Sequence, residues 1–276
     1  MSSPSFVSYA QNLEDIVLWR GLRHITRGCY IDVGACDPLS ESVSRGFYEQ
    51  GWRGVHFEPN PVFAERLRQD RPDETVHEVA VSDAEGTLRF AMMHDVGLST
   101  GASEYLDEYR TAGRVAEERD VPMTTLAKAC AGLAGRDVHW MKIDVEGMEE
   151  RVLRGWDART LRPWVVLVEA TRPASTEPAH HAWDGLLVDA GYRFVLFDGL
   201  NRFYVADEHP ELMGPLSVSA NIHDIYAGCG IDRSSPFASR AAAQVSALYE
   251  SSRTWQLTRP LRRLVSVLSR SGSGHR

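Results

Sequence analysis

The 276-residue sequence has no run of about 18 uncharged apolar residues, so no segment of it reads as a membrane-spanning helix. Residues 1–15 carry neither a basic start nor an apolar h-region, which argues against a secretory signal. Cysteine is scarce, and Cys29, Cys36, Cys130 and Cys229 form no Cys-x-x-Cys pair. That argues against a zinc site and a disulfide framework, and makes a reducing cytoplasm the expected setting. Glycine is missing where a dinucleotide would need it. The turn Gly34-Ala35-Cys36-Asp37-Pro38 has one glycine in place of three, and Asp37 would repel a pyrophosphate. A nicotinamide oxidoreductase is disfavoured on that ground. Positive charge is short as well: the net charge is -8, yet seven arginines against Glu250 make the segment from Arg240 onward +6, leaving -14 elsewhere. An acidic body of this kind is a poor nucleic-acid binder, because phosphates must be met by Lys or Arg.

What is present is an alternation of short apolar runs and helical patterns. Residues 29–33, 54–58, 76–81, 140–144 and 164–169 read as strands, being rich in Val, Ile and Phe and bounded by Gly, Pro or Asp. Helices are expected over 12–22, over 61–67 behind an Asn60 N-cap, over 148–156, and over 182–190 before Gly191. Residues 192–197 and 202–205 read as a hairpin. A further strand is expected over 87–93, then loop and helix over 97–119. The pattern predicts an α/β, Rossmann-like fold, with a mostly parallel sheet, a C-terminal antiparallel hairpin and helices on both faces. One domain is expected over 1–232 with its core at about 8–206. A basic helical tail covers 233–276, its last residues disordered.

In an open parallel sheet, ligands sit at the carboxyl ends of the strands. Those ends carry Asp32 with Gly34, then Glu58, Asp144 and Glu169. Glu58 follows the glycine turn at the spacing where a carboxylate accepts hydrogen bonds from both ribose hydroxyls, which suits an adenosine moiety. A cationic, phosphate-free cofactor tail fits the turn, and a sulfonium bearing an amino group is such a tail.

Six segments then carry a resemblance. They are Ser8-Tyr9-Ala10-Gln11-Asn12-Leu13-Glu14-Asp15, Tyr30-Ile31-Asp32-Val33-Gly34-Ala35, Phe57-Glu58-Pro59-Asn60, Gly97-Leu98-Ser99-Thr100, Lys142-Ile143-Asp144-Val145-Glu146-Gly147 and Leu200-Asn201-Arg202-Phe203-Tyr204-Val205. Over about residues 8–206 the chain resembles FkbM-type methyltransferases. The resemblance implies a class I methyltransferase fold, S-adenosylmethionine as donor, and O-methylation, often of a sugar hydroxyl. It implies that Gln11, Asp32 and Gly34 face the methionine half, with Asp37 in the same turn. Glu58 would hold the ribose with Asn60 beside it, and Ser82 and Asp83 would meet the adenine edge. The segment Thr254-Trp255-Gln256-Leu257-Thr258-Arg259-Pro260-Leu261-Arg262 resembles a tail of proteins that assemble cell-surface glycans, which favours a saccharide acceptor.

A sugar hydroxyl is a poor nucleophile, so a base or a metal should assist it. Asp144 is expected as base or metal ligand, with Glu146 two residues on. Asp144 and Glu169 at adjacent strand ends would suit Mg²⁺. His223 is a third catalytic candidate, with His180 and His181 behind it. Lys142 is expected to pair with Asp144 or a neighbour. In the tail, Leu264, Val265 and Leu268 share a helical face beside Arg262, Arg263 and Arg270. Such a helix suits the inner membrane face, a partner, or the protein's own domain or dimer mate. Two other functions stay open: O-methylation of a non-sugar molecule such as a polyketide, and a non-catalytic S-adenosylmethionine-binding interaction module.

Overall fold

The computed structural model describes residues 6–93, 99–113, 115–221, 223 and 224. Along these the elements run α1 (Glu14–Leu22), β1 (Cys29–Val33), α2 (Val43–Glu49), β2 (Arg53–Phe57), α3 (Pro61–Asp70), β3 (Thr75–His77), β4 (Ala80–Val81), β5 (Gly86–Met93), α4 (Ser103–Thr111) and β6 (Val115–Thr124). They continue with α5 (Leu126–Ala129), β7 (Trp140–Ile143), α6 (Glu149–Arg154), β8 (Val165–Glu169), α7 (Asp184–Asp189), β9 (Tyr192–Phe197), β10 (Asn201–Ala206) and α8 (Met213–Leu216).

Seven strands form the main sheet in the order β3-β2-β1-β7-β8-β10-β9. Its pairs are parallel from β3 through β8, and β10 runs antiparallel to both β8 and β9. The chain works outward from β1 to β3 and then returns to place β7 on the other side of β1. The switch point therefore lies between β1 and β7, where a ligand crevice opens in such sheets.

Alternation along the strands divides the core. Ile31, Val33, Met141, Ile143, Val166 and Val168 pack on one face with Val152 of α6 and Leu187 of α7. Tyr30, Trp140, Val165 and Leu167 pack on the other with Leu18 and Leu22 of α1 and Phe47 of α2. There the Tyr30 and Trp140 rings stack with centroids 4.6 Å apart. Each fully buried Val, Leu or Phe contributes about 1.5–3 kcal/mol of transfer free energy. Burial on both faces is why these strands read as continuous apolar runs.

Most expected elements are found, and α3 begins as predicted: Asn60 Oδ1 accepts from the Val62 N–H at 3.0 Å, with Pro61 at the first helical position. Two stretches differ. Residues 76–81 are not one strand. The Glu58 N–H donates to the His77 carbonyl at 3.0 Å, fixing β3 at the sheet edge, whereas Ala80 and Val81 pair with Met123 and Thr124 in a second sheet. Loop and helix were expected over 97–119, and α4 is there, but β6 follows it and pairs antiparallel with β5. The sequence hides β6 because Glu117, Glu118, Arg119 and Asp120 break any apolar alternation. Ion pairs support it instead, Glu118 meeting both Arg89 and Arg110.

The basic tail over 233–276 lies outside the described residues, as does Cys229. Among the described residues no helix is long and apolar enough to cross a membrane.

Candidate active site

A cleft opens at the carboxyl ends of β1, β2 and β7 and holds about 570 Å³ of empty space, its mouth included. Val33, Phe57, Phe63, Val79, Val81, Leu88 and Phe90 form its apolar walls, and Gly34, Cys36, Glu58, Ser99, Asp144 and Glu146 supply its polar groups. Leu88 and Phe90 come from β5, so the second sheet forms part of the wall. The expectation of a strand over 87–93 did not extend to that role, although the apolar alternation Leu88, Phe90, Met92 carries the signal.

Gly34 is required by its backbone. Its φ is +82°, and a β-carbon there would lie 1.8 Å from the Asp144 carbonyl oxygen. Beyond it, the Gly34 and Ala35 N–H groups donate to the Phe57 carbonyl at 2.9 and 3.2 Å. These bonds tie the turn after β1 to the end of β2.

Glu58 is the best-prepared group in the cleft. Its Oε2 accepts from the Cys36 N–H at 2.8 Å and its Oε1 from the Asn60 N–H at 2.7 Å. Burial pushes its carboxyl up to about 7 against the lowering effect of those two bonds. Each oxygen keeps a further lone pair for a ligand hydroxyl.

The other expected cofactor residues take different positions. Asp32 is 2% exposed and turns toward α2, where Ser44 Oγ donates to its Oδ2 at 2.6 Å. Behind Ser44 stands the fully buried Arg71, which donates to Ser44 Oγ at 2.7 Å, Ser42 Oγ at 2.9 Å and the Pro38 carbonyl at 2.8 Å. Asp32 thus belongs to a network that holds the loop leading to α2. Asp37 accepts from the Leu39 and Ser40 N–H groups at 2.9 and 3.0 Å and pairs with Arg66 at 3.0 Å, closing its own loop. Asn60 caps α3. Ser82 is buried and donates to Asp83 at 3.0 Å, while Asp83 pairs with Arg151 of α6 at 2.9 Å. Gln11 is exposed.

The strand-end carboxyls do converge. Ligand atoms of Asp144, Glu146 and Glu169 all lie within 4.8 Å of one another. Lys142 Nζ donates to Asp144 Oδ2 at 2.7 Å, the ion pair expected from the sequence. Burial alone would lower the Lys142 ammonium, but Asp144, Asp32 and Glu14 outweigh it and hold that group above the usual lysine range. Glu146 and Glu169 are pushed well above the ordinary carboxyl range, by burial first and then by Asp144.

The loop carrying Glu146 is held in a left-handed bend, with φ +53° at Glu146 and +97° at Gly147. Glu149 Oε1 accepts from the Val145 and Gly147 N–H groups at 3.2 and 3.1 Å, and Thr100 Oγ1 donates to the Glu146 carbonyl at 2.7 Å. Glu14, within the motif of residues 8–15, had no role assigned from the sequence; it is fully buried, and burial pushes its carboxyl up to about 8. Its neighbour Asp15 secures the segment ahead of α1, accepting from Ser8 Oγ at 2.7 Å and the Tyr9 N–H at 2.9 Å.

The histidines stand apart from this group. His223 lies in an exposed turn whose N–H bonds to Asn221 Oδ1 at 3.0 Å, beside the Arg20–Asp224 ion pair. The groove it helps line contains Trp19 and Arg20 and none of the strand-end carboxyls. His180 and His181 sit in a short 3₁₀ turn with ring centroids 4.1 Å apart.

Numbering only the main sheet's strands, the order is 3-2-1-4-5-7-6 with the seventh antiparallel, and the cleft lies at the switch point. This topology and this site define a class I, S-adenosylmethionine-dependent methyltransferase. The model of the methyltransferase FkbM domain matches residues 32–194, and the chain belongs to that family. No curated protein matches the chain in sequence. A TehB-like SAM-dependent methyltransferase of known structure from Corynebacterium glutamicum is similar over 69% of this chain and 87% of its own. The two share 10% identity, with a TM-score of 0.34.

Proposed function

We propose that the protein is an O-methyltransferase acting on a hydroxyl of a sugar, within a glycan, glycolipid or glycoside. The observation that carries the reading is the convergence of Asp144, Glu146 and Glu169 beside the Gly34 turn, with Asp144, held by Lys142, as the proton acceptor for a hydroxyl. The resemblance of residues 254–262 to tails of glycan-assembly proteins favours a saccharide over other hydroxyl compounds.

The residues fit the cofactor. Glu58, fixed by two backbone N–H groups, accepts from the ribose hydroxyls. Phe57, Val81 and Phe90 line the cleft and would give the base an apolar slot. Gly34 allows the backbone to approach the methionine half. When bound, S-adenosylmethionine supplies a methyl group on a sulfonium, poised for in-line displacement. The protein's own work is to hold the acceptor oxygen in line and receive its proton. Asp144 serves as that base or, with Glu169, as a ligand of Mg²⁺. Lys142 fixes one oxygen of Asp144 at 2.7 Å.

Calorimetric titration with S-adenosylhomocysteine tests the cofactor, and methyl transfer from labelled S-adenosylmethionine to a panel of glycans tests the acceptor. Micromolar binding and labelled saccharide are expected. Binding without transfer to any acceptor would favour an interaction module, and label appearing only in non-sugar hydroxyl compounds would replace the saccharide.

A further inference from the structure

We propose that Asp144, Glu146 and Glu169, with the side-chain oxygen of Asn201, form a site for one hard divalent cation beside the cleft. The inference deepens the reading above and rests on it for the cation's purpose. Clustered acids alone would not carry it. Two further observations do. Glu146 is 7% exposed, yet its Oε2 has no hydrogen-bond partner. Asn201 is fully buried, and its Oδ1 is likewise unpartnered.

Asn201 stands directly across from Glu169 in the β8–β10 ladder. Cross-strand partners share a face, with β-carbons about 5 Å apart. Buried polar oxygens left without partners call for an explanation, and a bound ion supplies one. The four side chains offer only oxygen, the donor set of Mg²⁺, Mn²⁺ or Ca²⁺ and a poor one for softer metals. Lys142 holds Asp144 through Oδ2 at 2.7 Å. The bend at Glu146, held by Glu149 and Thr100, keeps a third carboxyl beside two strand ends that would otherwise provide only a pair. A cation there would polarise the acceptor hydroxyl and fix its oxygen, the two tasks that a weak nucleophile demands.

The test is titration of the chelator-stripped full chain with Mn²⁺, following the free-ion electron paramagnetic resonance signal, with and without S-adenosylhomocysteine. One ion per chain is expected, displaced by excess Mg²⁺ or Ca²⁺. Affinity should fall at least tenfold in Glu146→Gln while S-adenosylhomocysteine still binds. Glu169→Gln provides the same reading should the first variant not fold. Absence of Mn²⁺ binding up to millimolar concentration, or equal binding in the variants, would overturn the cation site. Mn²⁺ binding without any S-adenosylhomocysteine binding would instead overturn the methyltransferase reading and leave the cation site standing.

Discussion

Gly34 and Asp144 meet backbone to backbone, with a β-carbon at position 34 falling 1.8 Å from the Asp144 carbonyl oxygen. One close approach thus sets the spacing between the turn after β1 and the strand end that bears Asp144. Gly34→Ala must push β1 and β7 apart at their ends and also hold a side chain at φ +82°, which by itself costs about 1–2 kcal/mol. We expect a lowered unfolding temperature and S-adenosylhomocysteine affinity reduced more than tenfold. Unchanged affinity would show that the turn does not touch the cofactor.

Glu58→Ala removes the acceptor of two backbone N–H groups and, on the proposed reading, of the ribose hydroxyls as well. Charge-assisted hydrogen bonds of this kind contribute about 1.5–3 kcal/mol each. Calorimetry should therefore show S-adenosylhomocysteine binding weakened tenfold or more, with the far-ultraviolet circular dichroism preserved. An unaltered dissociation constant would take Glu58 out of the ribose role.

Asp144→Asn separates chemistry from binding. The amide keeps the size of the side chain but accepts no proton and no longer balances Lys142. Turnover should fall by about 10²-fold or more, while S-adenosylhomocysteine affinity is largely kept. Near-normal turnover would assign the proton to another group, and Glu169 would be the next variant to make.

How far the sequence revealed this site follows from where each residue's constraint lies. The central strands were legible because they are buried on both faces and end on Asp32, Glu58, Asp144 and Glu169 at one edge. The Lys142–Asp144 pair was legible from spacing, since residues two apart on a strand share a face. The direction of Asp32 was not, because it depends on Ser44 and Arg71, which become neighbours only once α2 and α3 pack. Strand β6 was hidden by its charges, which are satisfied by Arg89 and Arg110 from elsewhere in the chain. The place of Glu146 is set by a left-handed bend, and no periodicity announces a bend held by Glu149 and Thr100.

The buried acids also give stability a pH dependence with a definite sign. Burial raises Glu14 to about 8 and Glu58 to about 7. In the unfolded chain both return to about 4.3. Between those limits the folded state binds more protons than the unfolded state, so stability falls as pH rises. Their contribution is fully present below the unfolded value and is lost as pH passes through 7 and 8. Burial lowers His77 and His139, which act the opposite way, but their gain is complete just above the ordinary histidine value of about 6.5. The acids therefore dominate from pH 7 upward. Thermal unfolding of the ligand-free protein between pH 7 and 8.5 should show a falling midpoint. Glu14→Gln carries no charge to bury and should flatten that fall near pH 8. A midpoint that rises through this interval would mean that Glu14 and Glu58 ionise without net cost in the folded protein.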